Sequence, residues 1–178
     1  MAESADPISP SHGPKRYDSC VIDAIDHEIL RLLQQDGRMS ATALAAEVGL
    51  TVAPCHRRIK ELERKGIVTG YRAVVDPAAV GLSFQALVFV TLRDRAQMLA
   101  FEEAVGRHGQ IVKADRLFGD PDFLLKVVAA DLPGYQKFYD EVLVGLPGIE
   151  KLTSTIVMKT VKEEAGLPLK GERRGLVP

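Results

Sequence analysis

The sequence predicts an α+β chain in which a three-helix N-terminal part is followed by a β-α-β-β-α-β part. Three observations carry this. Apolar residues recur at helical spacing up to residue 66, with Gly37, Gly49 and Gly66 as stops. Beyond residue 82 the rhythm changes to β-branched and aromatic runs that alternate with two helix faces. Charge is also sorted unevenly along a nearly neutral chain.

The first twenty residues carry three prolines and little apolar content, and read as a disordered arm over 1–20. Residues 21–68 form the first folded part. Asp23 is the expected N-cap of a helix, with Asp26 in its first turn, where negative charge suits the helix dipole. Ile25, Ile29, Leu32 and Leu33 give that helix its apolar face. Ser40 caps a short helix from Ala41 to Val48, and Thr51 caps a third from Val52 to Lys65. Ile67 to Val75 is β-branched and runs into Asp76-Pro77, so a strand hinge is expected, with its linking segment at 69–81.

Residues 82–162 carry the second part. Strands are expected at Phe84–Leu92, Ile111–Phe118, Phe123–Ala129 and Thr153–Val161. Met98, Phe101 and Val105 make one helix face, and Tyr135, Phe138, Val142 and Leu146 another. This order is the ferredoxin-like split βαβ, with both helices on one face of an antiparallel sheet. The other face, expected to include Phe84, Val88 and Ile156, then needs cover, and a second copy of the sheet supplies it. Residues 163–178 read as a flexible tail.

The 178 residues are enough for one ordinary domain or two small ones. Hydrophobic residues at 46% and charged residues at 26% fit a soluble globular chain. No apolar run approaches the roughly 18 residues of a membrane span, and no leader pattern opens the sequence, so a cytoplasmic protein is expected. Two cysteines, Cys20 and Cys55, make neither a disulfide framework nor a zinc-finger spacing. His56 beside Cys55 lacks a second His/Cys cluster, so no metal and no cofactor is expected.

A short helix, a Gly49 turn and a second helix make a helix-turn-helix, expected to be of the winged type. Residues 18–50 net −4, while residues 51–72 net +4. At about 100° per residue, Cys55, Ile59 and Leu62 share the core face of the third helix. Ala53, Arg57, Lys60 and Arg64 fall opposite, within a stripe of roughly 60°. Such a helix, small at its N-terminus and cationic behind, suits the major groove of double-stranded DNA. Val52, Ala53, His56, Arg57, Lys60 and Arg64 are the candidate contacts, Arg57 for a base and Lys60 and Arg64 for phosphate.

The residues resemble the Lrp/AsnC (feast/famine) family of transcription regulators. Ile22 to Leu30 is similar to the family's opening helix. Asp36-Gly37-Arg38-Met39-Ser40, Leu44 to Leu50 and Cys55 to Gly66 resemble its helix-turn-helix. Gly70 to Pro77 resembles its hinge, and Gly119 to Val127 its effector-domain turn. The resemblance implies a sheet domain that pairs into homodimers, commonly assembling to octamers, and an amino acid or similar metabolite bound between subunits. Carried onto this chain, it places Gly119, Asp120, Pro121 and Asp122 at the effector site, with Thr153, Ser154 and Thr155 beside them. A Gly turn offers N–H groups to a carboxylate, and an Asp accepts from an α-ammonium. Gly-Asp-Pro-Asp is equally good chemistry for a plain hairpin turn. In the first case Asp122→Ala removes the ligand response and leaves folding largely intact. Pro121 stands where the family usually has a bulky residue, and proline removes an N–H.

Two other functions compete. A siroheme-decarboxylase-like enzyme on this scaffold would draw on His108, Arg93, Arg95, Arg107 and Arg116, which form no clustered acid–base pair in sequence. An oligomeric amino-acid sensor without DNA binding is the other.

Overall fold

A computed structural model describes residues 22–163 and 165–169. The expected arm at 1–20, Cys20 and the last nine positions of the expected tail lie outside the described residues. The chain forms two compact units. Among the described residues, the first holds 22–72 with 165–169 and the second 73–163.

In the first unit, α1 (Ala24–Gln35), α2 (Ala41–Glu47) and α3 (Val52–Arg64) pack around Ile29, Leu32, Leu44, Cys55, Ile59 and Leu62. The helix ends follow local chemistry. Asp23 and Asp26 make a reciprocal capping box, with Asp26 N–H donating to Asp23 Oδ1 at 2.8 Å. Ser40 Oγ accepts the Ala43 N–H at 3.1 Å. Thr51 occupies the N-cap position of α3 but makes no side-chain cap bond. Pro54 stands third in that helix and has no N–H to donate. Gly49 and Gly66 follow α2 and α3 at φ +69° and +67°. Each left-handed glycine lets the next N–H turn back, Leu50 to Ala45 O and Ile67 to Leu62 O, both at 2.9 Å. α2 and α3 are thus joined by a sharp, hydrogen-bonded turn.

The strand expected over 67–75 is absent: the segment carries no ladder, and Val74 is 98% exposed. β-branched composition favours extended backbone, but a strand needs a partner, and no described residue pairs with it.

The second unit is a four-stranded antiparallel sheet of β1 (Phe84–Leu92), β2 (Ile111–Arg116), β3 (Phe123–Ala129) and β4 (Ile149–Ile156), in the order β2-β3-β1-β4. α4 (Met98–Val105) and α5 (Leu132–Glu141) cover one face, burying Ala86, Val88, Val90, Phe101, Leu125, Val127 and Phe138 in one core. Val88 therefore faces the helices and not the open side. Phe84 lies on the same side, 5.2 Å from the Tyr135 ring, and Ile156 pairs with Ala86 there. The apolar run of β1 conceals its parity in sequence, because both faces read as core. Leu87 and Phe89, opposite Thr155 and Thr153, are the residues of the open face.

β4 starts four residues before the expected Thr153, and its ladder with β1 ends at Ile156 opposite Ala86, followed by one more bond from Val157 N–H to Gln85 O at 3.0 Å. β2 ends at Arg116, not Phe118. α5 ends at Glu141, and Leu143–Gly145 continues as a short 3-10 turn.

Candidate nucleic-acid interface and effector loop

α3 carries its apolar residues inward and its cations outward. Cys55 is fully buried, and burial pushes its thiol pKa up. Val52, Ala53, His56, Arg57, Lys60 and Arg64 are all exposed, so the structure brings all six candidate DNA contacts onto one accessible side of one helix.

Their partners differ. Lys60 Nζ donates to Glu63 Oε2 at 2.9 Å. Arg64 grips Glu61 through two nitrogens, at 2.8 and 2.5 Å. That grip, with Lys65 behind it, lowers the Glu61 carboxyl to about 2. Arg57 makes no salt bridge among the described residues. Exposed pairs one turn apart are weak, so phosphate can displace the glutamates from Lys60 and Arg64. Arg57 needs no such exchange.

Two contacts lay beyond the sequence reading. Arg58, adjacent to the stripe, turns away from it and bridges Asp23 and Asp26 at 2.7 and 2.8 Å. The pair of aspartates keeps its guanidinium charged, and the bridge pins α3 to the start of α1. Tyr71 OH donates to Glu63 Oε1 at 3.2 Å, so the segment after α3 also reaches the helix. The capping box was a signal for two carboxylates at the start of α1, but their partner 32 to 35 residues away was not.

In the second unit, Gly119, Asp120, Pro121 and Asp122 form the loop between β2 and β3, with Gly119 at φ +141° and a cis Asp120–Pro121 bond. The loop is stitched to the end of β1. Asp122 N–H donates to Val90 O at 2.9 Å, and Asp122 Oδ2 accepts the Leu92 N–H at 2.8 Å. Asp120 Oδ1 accepts from Thr91 Oγ1 at 3.1 Å. Thr153, Ser154 and Thr155 lie on β4, and β1 separates them from β3 and its loop. They are not on one face. Ser154 pairs with Val88 and turns toward the helices, where Tyr135 OH meets its Oγ at 2.5 Å. Within one chain, the loop and the three β4 residues do not close one cleft. His/Cys/Asp/Glu clusters able to hold a metal ion are absent among the described residues.

The sequence matches two family models: a winged helix-turn-helix DNA-binding model over residues 22–69, and the Lrp/AsnC ligand binding domain over residues 85–167. It is also 34% identical over 151 residues to the DNA-binding transcriptional activator DecR of Escherichia coli, covering 84% of this chain and 99% of that one. The chain belongs to the Lrp/AsnC family. Similarity extends to the leucine-responsive regulatory protein of Escherichia coli, at 36% identity over 84% of this chain and 92% of the relative. Among solved structures, a Neisseria meningitidis transcriptional regulator in complex with L-Met superposes with a TM-score of 0.81. Its identity is 31%, over 84% of this chain and 98% of the other. An AsnC family regulator from Agrobacterium tumefaciens gives 0.77 at 32% identity, over 83% and 97%. This Lrp/AsnC member is accordingly a DNA-binding transcriptional regulator with a ligand-binding domain. No helix among its described residues is long and apolar enough to cross a membrane.

Proposed function

We propose that this regulator reads double-stranded DNA with α3 and changes its binding in response to an amino acid or related metabolite. The observation that carries the first half is Arg57, exposed and without a salt bridge among the described residues, in the middle of a cationic face. Its guanidinium is available to guanine O6 and N7, while Val52 and Ala53 let the start of the helix approach the groove. Lys60, Arg64 and His56 take phosphate. The L-Met complex of the Neisseria meningitidis relative supports an amino-acid ligand. Gly119 to Asp122 are its proposed contact loop, and Thr153 to Thr155 of a second subunit complete the site. The protein works as a cytoplasmic homodimer that assembles toward an octamer, its open sheet face with Leu87 and Phe89 covered by the partner.

Selection of bound duplexes from a random library, with and without pooled amino acids, tests this. The reading requires an enriched motif with half-sites about one helical turn apart, and an amino-acid-dependent change in retention. A library that emerges unenriched from wild-type protein overturns it.

A further inference from the structure

The first unit contains a piece of chain from the far end of the sequence. After β4 the backbone returns, and residues 165–169 (Ala-Gly-Leu-Pro-Leu) lie against α1 and the segment after α3. A cleft of about 220 Å³ remains beside it, lined by Leu30, Leu33 and Gln34 of α1, by Ile67 and Tyr71, and by Leu167 and Leu169 of the segment itself.

Four features mark the contact as built. Gln34 serves both main-chain groups of one residue: its Oε1 accepts the Leu167 N–H at 2.5 Å, and its Nε2 donates to Leu167 O at 3.3 Å. The side-chain amide therefore does for Leu167 what a neighbouring strand would do. Leu169 packs half-buried on the core formed by Ile29, Leu44 and Ile59, while the Leu167 side chain stays 75% exposed. Recognition is thus of the backbone at 167 and of the side chain at 169. Gly166 is required by closeness, because a Cβ there would meet Gln34 Oε1 at 2.9 Å and its Cβ and Cδ at 3.0 Å. Pro168, between the two leucines, fixes φ and lowers the entropy lost on docking.

We propose that this face of α1 and the segment after α3 is a peptide-binding site of the DNA-binding unit whose resident ligand is the chain's own 165–169 segment. The segment is a latch. It ties the chain that leaves β4 to α1 by hydrogen bonds and apolar packing, in addition to the covalent hinge after Arg72.

Hydrogen exchange of the full chain tests the latch, comparing wild type with Gln34→Ala and Gly166→Val. Alanine is the better helix former, so lost protection in Gln34→Ala cannot come from helix propensity. The expected result is exchange about fivefold faster in α1 and residues 67–71, with β1 and β3 unchanged. A chain ending at residue 163 should show the same loss, and an added peptide of the 165–170 sequence should restore protection where a scrambled peptide does not. Unchanged exchange of α1 in the two point variants overturns the proposal, as does equal restoration by the scrambled peptide. Should the shortened chain not fold, the point variants alone decide.

Discussion

The Asp122 carboxylate accepts the Leu92 N–H at 2.8 Å, at the step where the β1–β4 register shifts between Thr91 and Leu92. That N–H points away from β4, which takes the Arg93 N–H at Gly148 O, and β3 starts only at Phe123 opposite Val90, so Asp122 supplies the acceptor that the ladder lacks there. The expectation that Asp122→Ala leaves folding largely intact therefore changes: the loop aspartate also holds the sheet together.

Asp122→Ala should lower stability by about 1–3 kcal/mol, the usual cost of a half-buried amide left unpaired. Urea unfolding measures it, and an unchanged midpoint refutes the structural role. Asp120→Ala, which loses only an exposed hydroxyl contact from Thr91, should cost less than about 1 kcal/mol.

The cations of α3 should separate by role. Arg57→Ala is expected to cost about 1–3 kcal/mol at one base pair and to relax preference there. Lys60→Ala and Arg64→Ala should weaken every duplex alike and each reduce the salt slope by about 0.9. Titrations of matched and mismatched duplexes at several salt concentrations distinguish these patterns. Uniform loss in Arg57→Ala would move that residue to the phosphate group.

Glu61 should titrate near pH 2, because Arg64 and then Lys65 favour its charged form. A folded pKa below the unfolded value means that the contribution is complete above about pH 4.5 and is lost as pH falls toward 2. The pair is exposed, so the effect should shrink in high salt. Carboxyl NMR of wild type and Arg64→Ala checks this; the variant's midpoint should move back toward 4.5.

Cys55 should resist alkylation in the native protein and react on unfolding, since it is fully buried and its thiolate is disfavoured. Mass mapping of labelled peptides isolates Cys55 from Cys20. Rapid native labelling of Cys55 would show that the α1–α3 core opens far more readily than its packing implies.

Periodicity and caps carried most of the architecture into the sequence. The spacing of Ile29, Leu32, Cys55, Ile59 and Leu62, the Ser40 cap and the stops at Gly49 and Gly66 are local facts, set by helix geometry and left-handed glycine, and α1 to α3 follow from them. The outward stripe of Arg57, Lys60 and Arg64 follows from the same period. Strand parity and strand ends were not local. Phe84–Leu92 is apolar on both faces, so only packing against α4 and α5 placed Val88 inside, and only the pairing with β1 set where β4 ends. Long-range polar pairings stayed equally hidden. Arg58 with Asp26, Asp122 with Leu92 and Gln34 with Leu167 join residues 30 or more apart, and no spacing rule brings such groups within 3 Å. Those meetings depend on where whole elements come to rest, which the chain decides only when its core closes.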